Sequence, residues 1–413
     1  MKKIEFFTYK KDMLELISAS LSLVSKELDK RYEMIAYLAY HLAEEMGMTF
    51  KDLEDVTMAA LFHDLGAIGS EKTPTPQELE ADLTGRSSLT AGMLSVMPGM
   101  KNVSQIIRLS PYSYEYLAVC DLDTIILTKA QIVHAAVTIT SNFNDTEPVL
   151  TQVDRMVQGI SSEANKEFSI DVVDSIITMR EKEDTWFRYV YDPGYIFYEL
   201  VGNETIDLDG TLGMARLAAM IVDFRNPFTV MHSAGVEASA VKLAELMELD
   251  EEKCKKMSIA GALHDLGKLH VPNSILEKPG KLTKEEMYII REHPFFTYKL
   301  LNNVRGFEEI TQWAAYHHEK LNGKGYPFRL TGVELTTECR IMAVADVFSA
   351  LAEDRPYRSG MDKDKILDIL DDMVDRKDIS YEVVEVLIDN YAEVDGYRNE
   401  MAKKVGARYY RKQ

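Results

Sequence analysis

The sequence predicts an all-α fold made of two tandem helical bundles that are related by internal duplication. Apolar residues recur at spacings of three and four, as amphipathic helices require, and strand-like alternation is rare. In residues 33–48, for example, Ile35, Leu38 and Leu42 share one helix face. The chain also matches itself after a shift of about 200 residues, which predicts two copies of one bundle.

The internal repeat sets the predicted domain boundaries. One short match could arise by chance, but these matches follow the same order in both halves of the chain. They divide it into a first copy, residues 1–184, an aromatic-rich linker, residues 185–211, and a second copy, residues 212–413. Because the linker is so aromatic, we expect it to pack against one or both copies. The matched segments are 42–44 with 243–245, 63–66 with 264–267, Gly99 with Gly306, Ile132 with Ile341, and 169–173 with 380–384.

The composition is that of a globular and strongly acidic chain. A formal net charge of -20 disfavours a nucleic-acid polymer as partner, because phosphate backbones bind to basic surfaces. The cysteines, Cys120, Cys254 and Cys339, are scattered and form neither a disulfide framework nor a thiolate metal motif. No apolar run approaches the roughly 20 residues that cross a bilayer, and no signal-peptide core is recognisable. We therefore expect a cytoplasmic protein that does not bind membranes.

Histidines and aspartates of the second copy are the candidate metal ligands. Successive groups are about 25 to 30 residues apart, roughly two helices with their loops, so they can project into one region of a bundle. Most continue an apolar stripe; Asp346 lies four residues after Met342 in an apolar segment, where a lone charge is costly. Any one histidine alone is more often an ordinary core or surface residue, which does not explain the whole set. The set is His232, His264, Asp265, His293, His317, His318 and Asp346.

The chemistry of this set indicates the kind of metal. Imidazoles and carboxylates without a thiolate suit a pair of iron, manganese or zinc ions better than magnesium. We expect two divalent transition-metal ions, iron or manganese, with Asp265 bridging both through its two oxygens. His270 continues no apolar stripe, and we do not expect it to be a ligand.

Basic residues beside these ligands indicate that the substrate carries phosphate. Lys268 lies one helical turn after the His-Asp pair and can reach a phosphoryl oxygen. A loop rich in glycine and proline, residues 319–327, brings Tyr326 near the site. Arg355 and Arg358 offer guanidiniums, which bind phosphate in a bidentate manner. Each charge alone could be ordinary surface charge, but their positions next to the ligands favour substrate binding.

These residues resemble the motifs of the HD-GYP domain, a branch of the HD phosphohydrolase superfamily. The resemblance covers nearly all of the second copy and implies two HD-type bundles, of which the first is degenerate. HD-GYP domains are all-helical and hydrolyse bacterial cyclic dinucleotides, chiefly cyclic di-GMP. Some members have a third metal bound by a glutamate at the position of Phe228, so a two-metal site is implied here. The matching segments are 228–232, 264–268, 292–294, 317–319, 325–327, and Asp346 followed by 355–358.

The resemblance also implies a role for each residue. Asp265 and Lys268 would be catalytic, and Lys268, Tyr326, Arg355 and Arg358 would contact the substrate. A hydroxide bridging the two metals would attack one phosphodiester in line and open cyclic di-GMP to linear pGpG; whether a second cleavage to GMP follows stays open. One metal would be held by His232, His264, Asp265 and Asp346, and the other by Asp265, His293, His317 and His318.

The first copy keeps the apolar stripes but loses almost all the ligands. Only His63 and Asp64 remain, and two ligands make a poor metal site, so we expect no catalytic metal there. Three roles of the first copy stay open: it could sense a signal, pair in a homodimer, or hold the second copy in an active conformation. Arg31 stands at the position of His232, residues 86–88 near that of His293, 110–111 at that of His317 and His318, Val137 at that of Asp346, and Ala67 at that of Lys268.

The leading hypothesis is a cyclic-dinucleotide phosphodiesterase that acts on cyclic di-GMP. The first alternative substrate is 3',3'-cyclic GMP-AMP, because no residue can be assigned to a base edge. A receptor or interaction platform without turnover is an alternative of another class, which the complete ligand set disfavours. A nucleotide phosphohydrolase of the wider HD superfamily is disfavoured by the Gly-Tyr-Pro loop, residues 325–327.

Overall fold

A computed structural model of the chain describes residues 6–24, 30–66, 83–95, 97, 99–144, 146–225, 229–278, 280–353 and 360–410. These residues form helices and two short strands, which confirms the all-α prediction. None of the described helices combines the length and apolar character that a membrane span requires.

The chain divides into two compact units: Val24–Gly202, and Asn203–Gln413 together with Met1–Leu23. These limits differ from those of the sequence repeat at two points. Residues 1–23 of the first copy belong to the unit of the second copy, and residues 185–202 of the linker belong to the first unit.

The helices of the first half follow the predicted stripes. α2 packs against α3 and α7, and α5 packs against α3, α4 and α7. Ile35, Leu38 and Leu42 on α2 are buried, as predicted. The elements are β1 (Thr8–Tyr9), α1 (Lys10–Val24), α2 (Arg31–Glu45), α3 (Phe50–Phe62), α4 (Leu83–Leu94), α5 (Lys101–Leu109), α6 (Tyr114–Leu117), α7 (Thr124–Ser141), α8 (Val149–Ser162), α9 (Ile170–Met179), α10 (Glu183–Tyr191) and α11 (Ile196–Val201).

The aromatic residues after the first copy are packed, as predicted, and they pack inside the first unit. Trp186 and Tyr189 on α10 are buried. Trp186 donates its indole N–H to the carbonyl of Met179 at 3.0 Å, and Tyr189 hydrogen-bonds the hydroxyl of Thr140 at 2.9 Å. These bonds satisfy the polar ends of both rings, so the rings extend the core of this unit.

The second half repeats the helix packing of the first. α13 packs against α14 and α19, as α2 packs against α3 and α7, and α18 packs against α14, α17 and α19, as α5 does against α3, α4 and α7. The elements are β2 (Thr205–Ile206), α12 (Leu208–Arg225), α13 (Thr229–Leu246), α14 (Glu251–Leu263), a 3-10 turn (Leu266–His270), α15 (Asn273–Leu276), α16 (Lys284–Ile290), α17 (His293–Leu301), α18 (Glu308–Ala315), α19 (Thr337–Ala352), α20 (Lys363–Asp375), α21 (Tyr381–Asp389) and α22 (Tyr391–Tyr410).

The N-terminal strand and helix are tied to the second unit. β1 pairs with β2 in an antiparallel manner, with Thr8 opposite Ile206. The buried carboxylate of Asp12 accepts hydrogen bonds from the guanidinium of Arg305 at 2.7 Å and from its backbone N–H at 3.1 Å. These contacts explain why residues 1–23 separate from the repeat copy to which their sequence position assigned them.

Candidate metal centre

The predicted ligands come from several helices and meet in the core of the second unit. His232 and Asp346 lie on α13 and α19, and the others lie at helix ends, where the chain turns and directs side chains into the bundle. His264 caps the end of α14, for example, and His293 begins α17. His318 is half-buried, and the other ligands are at most 8% exposed.

The seven side chains form two groups with Asp265 between them. Within each group, ligand atoms lie within 4.8 Å of one another. Oδ2 of Asp265 lies 3.2 Å from Nε2 of His264 in the first group, and Oδ1 lies 3.5 Å from Nε2 of His293 in the second. Asp265 therefore faces both groups, as its predicted bridging role requires. The groups are His232, His264 and Asp346, and His293, His317 and His318.

Three of the imidazoles present a lone pair to the centre. Nδ1 of His264, His293 and His317 lies 2.6 to 2.8 Å from the carbonyl three residues earlier, at Gly261, Ile290 and Ala314. A carbonyl only accepts hydrogen bonds, so Nδ1 carries the proton, and in a neutral ring Nε2 is an acceptor. The local fold thus fixes the tautomer that a metal ligand needs.

The resulting acceptors face one another without a donor between them. Nε2 of His293 and Nε2 of His317 are 3.3 Å apart, and both are lone pairs when both Nδ1 atoms donate to carbonyls. Nε2 of His264 is buried and makes no hydrogen bond within the described residues, although the carboxylate of Asp265 is 3.2 Å away. Buried acceptors that face each other need a cation, so the residues present fit divalent metal ions.

Burial keeps the second group of histidines neutral. It lowers the pKa of His293 and of His318 to about 3, and it holds the pKa of His317 well below its usual value. Burial alone would raise the pKa of Asp265, but its electrostatic interactions with the neighbouring His264 and Lys268 outweigh burial and keep this pKa well below its usual range. Neutral imidazoles with an ionised carboxylate are the protonation states that bind transition metals.

His232 has a different environment, because two carboxylates face its ring. Nδ1 lies 3.0 Å from Oε2 of Glu353, and Nε2 lies 3.3 Å from Oδ1 of Asp346. Burial opposes protonation, but the hydrogen bonds to Asp346 and Glu353 outweigh it and raise the pKa of His232 to about 9. A carboxylate behind a metal-binding imidazole orients the ring and makes it a stronger ligand, which is the position that Glu353 holds.

Among the predicted substrate residues, Lys268 and Tyr326 lie beside the ligands. Nζ of Lys268 is 2.6 Å from Oδ2 of Asp265, one turn along the chain as the sequence indicated. The ring of Tyr326 lies 4.8 Å from that of His318, measured between centroids. Arg355 and Arg358 lie outside the described residues, as does Phe228. His270 lies apart from both groups, where it stacks on Phe296.

The loop that carries Tyr326 is anchored by Glu319. This buried carboxylate accepts three backbone N–H groups, from Phe328 at 2.7 Å, Arg329 at 3.1 Å and Leu330 at 3.0 Å. Gly325 is required by close packing, since a Cβ there would lie 2.5 Å from the backbone nitrogen of Lys320. The Gly-Tyr-Pro sequence therefore folds back onto the segment that begins with the histidine pair.

In the first unit an ion pair replaces the metal ligands. Nδ1 of His63 lies 2.8 Å from the carbonyl of Ala60, which repeats the arrangement at His264. Arg86 precedes Thr90 by four residues, as His293 precedes Thr297. The hydroxyl of each threonine accepts a hydrogen bond from the backbone N–H of the glycine that follows the His-Asp-Leu sequence of its copy. Nε of Arg86 pairs with Asp64 at 3.0 Å. A guanidinium thus balances the aspartate that the second copy uses between its two groups.

Sequence reasoning assigned no role to three residues of the second site. Glu353 follows Asp346 by seven residues and caps the end of the same helix, so helical spacing could have found it. Glu319 directly follows the histidine pair, but its loop contacts are not a periodic signal. Arg291, whose guanidinium lies over the ring of Tyr326, gave no signal except its closeness to His293.

Two segments of the chain match the HD domain family, residues 216–380 and residues 32–136. Together they contain the His-Asp pairs of both units. The chain therefore belongs to the HD domain family, with two HD domains in tandem. The resemblance inferred from the motifs of the second copy, and the degenerate first copy, are confirmed at this level.

Two of the similar proteins are named as phosphodiesterases of cyclic dinucleotides. The chain is 33% identical over 232 residues to the 3'3'-cGAMP-specific phosphodiesterase 1 of Vibrio cholerae, covering 54% of this chain and 53% of that protein. It is 37% identical over 147 residues to a cyclic di-GMP phosphodiesterase of Pseudomonas aeruginosa, covering 35% and 36%. The chain thus matches about half of the first relative's length and about a third of the second's.

One solved structure shares the fold over almost the whole chain. It is a cyclic GMP-AMP-specific phosphodiesterase of V. cholerae, which superposes with a TM-score of 0.59 at 18% sequence identity. The match covers 95% of this chain and 98% of that one, so both HD bundles are included. At this identity the likeness establishes the fold alone.

Proposed function

We propose that the second copy, residues 212–413, is a metal-dependent phosphodiesterase that opens cyclic dinucleotides, with cyclic di-GMP as the leading substrate. The observation that carries the proposal is the set of facing acceptors, in which Nε2 of His293 and Nε2 of His317 stand 3.3 Å apart. A protein that only bound an organic ligand would not need buried acceptor atoms that face each other. The relatives named as cyclic-dinucleotide phosphodiesterases support the substrate class.

The proposed cofactors are two divalent transition-metal ions, iron or manganese, on the ligand sets implied by the motifs. When bound, they would supply Lewis acidity at the phosphoryl oxygens and a nucleophile from water at neutral pH. The nitrogen-rich donor set supports iron or manganese over magnesium. His232, His264, Asp265 and Asp346 would hold one ion, and Asp265, His293, His317 and His318 the other.

The chain's own residues would orient the substrate and balance its charge. Water attacks one phosphorus in line, the bond from phosphorus to the 3' oxygen breaks, and a linear 5'-phosphorylated dinucleotide is released. Lys268, held by Asp265, would place its ammonium beside the reacting phosphoryl oxygens, where negative charge increases in the transition state. Tyr326 would form a wall of the substrate pocket next to His318.

A second candidate substrate is 3',3'-cyclic GMP-AMP. The specific observation in its favour is that the longer of the two sequence alignments described above, 232 residues, is to a protein named as specific for this dinucleotide. Both substrates contain two phosphodiesters in one ring, so the same metal centre serves either.

The first copy, residues 1–184, would bind no catalytic metal and would act as a regulatory or dimerising domain. The support for the first part is the ion pair between Arg86 and Asp64, which supplies a positive charge where the second copy has a ligand. A metal would have to displace this guanidinium from Asp64. Breaking the pair is costly, because the guanidinium is buried and would lose the carboxylate that balances its charge.

The test is a turnover assay on cyclic di-GMP, 3',3'-cyclic GMP-AMP and cyclic di-AMP with protein loaded with manganese or iron. We expect the first or second to be linearised, and Asp265→Ala to lower the rate at least 1,000-fold, on the order expected for loss of metal chemistry. Asp64→Asn is the matched control, because it alters the same dipeptide in the other copy, and it should retain the rate. Absence of turnover with every cyclic dinucleotide at full metal occupancy would refute the proposal.

A further inference from the structure

The second unit contains a cation for which the reaction described above has no use. Arg291 follows α16, two residues before His293, and its guanidinium carbon lies 4.5 Å from the ring centroid of Tyr326. Its side chain is half-buried. Within the part of the chain that the structure describes, it forms no ion pair with a carboxylate. Stacking on the tyrosine holds the guanidinium plane while its edge N–H groups stay available for a ligand.

Tyr326 connects this arginine to the metal centre. The tyrosine ring lies 4.8 Å from the ring of His318 at an angle of 34°, and its backbone N–H donates to the carbonyl of His318 at 3.3 Å. Arg291 and the metal ligand His318 therefore contact the same tyrosine ring. Arg291 belongs to neither ligand group, so it is suited to a part of the substrate other than the phosphate that the metals would hold.

Two other cations near the site are already paired. Lys268 lies 2.6 Å from Asp265, and Lys320, on the Tyr326 loop, lies 2.8 Å from Asp378. A cyclic dinucleotide carries two phosphodiester charges, of which the metal centre can neutralise only the reacting one. In a chain of net charge -20 the second phosphate needs a local cation besides Lys268. A guanidinium that has no carboxylate partner among the described residues can bind it with two parallel hydrogen bonds.

From this geometry we propose that Arg291, held against Tyr326, binds the second, unreacted phosphodiester of the cyclic dinucleotide. The inference rests on the proposed function and names a substrate contact of the same site. It makes Arg291 a binding residue whose loss weakens substrate affinity while the chemical step at the metals proceeds. It also gives Tyr326 a role as the platform of this guanidinium.

The test compares Arg291→Ala and Arg291→Lys with wild type on two kinds of substrate. For a cyclic dinucleotide we expect Arg291→Ala to raise KM at least 10-fold with kcat within about 2-fold, since a contact made equally in ground and transition states affects binding only. Arg291→Lys keeps the charge but loses the planar fork, so its KM should be intermediate. Hydrolysis of bis(p-nitrophenyl) phosphate, which has a single phosphodiester, and the metal content should not change.

Controls separate this contact from others. Lys299→Ala removes another cation that lies over an aromatic ring, 5.9 Å from the centroid of Phe296, and should leave KM unchanged. If Arg291 contacts a phosphate, Arg291→Ala raises KM by the same factor for every cyclic purine dinucleotide that is turned over. An unequal loss would assign Arg291 to a base instead, and an unchanged KM in Arg291→Ala would overturn the inference while the proposed function stands.

Equilibrium binding covers the case in which wild type does not turn over its ligand. The dissociation constant of cyclic di-GMP is measured by calorimetry for wild type and Arg291→Ala. Binding without turnover that weakens at least 10-fold in Arg291→Ala supports the arginine contact and refutes the phosphodiesterase. Binding of equal strength in both proteins, or no binding of any cyclic dinucleotide to wild type, overturns the arginine contact.

Discussion

At the scale of single residues, the metal centre is defined by which nitrogen of each histidine carries the proton. His264, His293 and His317 all donate Nδ1–H to the carbonyl three residues earlier, which leaves each Nε2 to the centre. The sequence predicts the identity of these ligands from their spacing. It does not predict their tautomers, because those depend on helix ends whose carbonyls are exposed only in the folded chain.

The protonation states of these histidines predict an acid-sensitive metal-free protein. The pKa of His293 and His318 is about 3 when folded, against about 6.5 when unfolded, so below pH 6.5 the unfolded chain binds more protons. Stability then falls as pH falls, by roughly 1.4 kcal/mol per pH unit for each histidine. The raised pKa of His232, about 9, acts in the opposite sense and removes stability as pH rises from 6.5 through 9.

We therefore expect the Tm of EDTA-treated protein to be highest near pH 6.5 to 7 and to fall on both sides. Calorimetry between pH 4.5 and 9.5 measures this. His318→Gln should flatten the acid side of the profile, and His270→Gln, which alters a histidine outside both ligand groups, should not. A Tm that is constant from pH 6.5 to pH 5 would contradict the protonation states described here.

At the scale of elements, the Tyr326 loop depends on one buried side chain. Glu319 accepts three backbone N–H groups of residues 328–330, and hydrogen bonds to a charged acceptor each contribute roughly 1.5 to 3 kcal/mol. Glycine and proline predicted a loop at this place in the sequence. Its conformation could not be predicted, since it is set by a carboxylate whose partners are backbone groups and leave no residue signature.

Replacing this anchor should loosen the loop without removing the metals. In Glu319→Gln the amide N–H groups would face backbone donors, so at least one hydrogen bond is lost. We expect faster hydrogen exchange over residues 320–330 and a cyclic-dinucleotide kcat/KM that is lower by about 10-fold, equivalent to 1.4 kcal/mol. Glu334→Gln, which alters a carboxylate bonded to Thr331 in the same loop, is the control. Unchanged exchange in Glu319→Gln would show that other contacts hold the loop.

A pair of elements in each copy also shows why the repeat is faint in sequence. Lys129 on α7 pairs with Asp52 on α3 at 2.6 Å, and Lys253 on α14 pairs with Glu338 on α19 at 2.7 Å. The offsets that align 63 with 264 and 132 with 341 also align these positions, but the charges are exchanged. The same inter-helix ion pair is kept with reversed polarity, so residue identity is lost while the contact remains.

At the scale of the whole molecule, one arrangement of helices occurs twice. The second copy contains the candidate metal ligands, and the first contains the ion pair of Arg86 and Asp64. Apolar periodicity predicts this helical arrangement well, because burial repeats along each helix and survives loss of the site. The limits of the compact units were less predictable. Residues 1–23 join the second unit through the contacts of Asp12 and Thr8 with Arg305, which are far apart in the chain and have no periodic pattern.

The central claim is that the second copy holds two metals and the first holds none. Measuring metal ions per chain by mass spectrometry, after reconstitution with manganese, tests it most directly. We predict two ions in wild type and in Asp64→Asn, and at most one in Asp265→Asn, since Asp265 faces both ligand groups. Fewer than two ions in wild type, or loss of an ion in Asp64→Asn, would contradict the account.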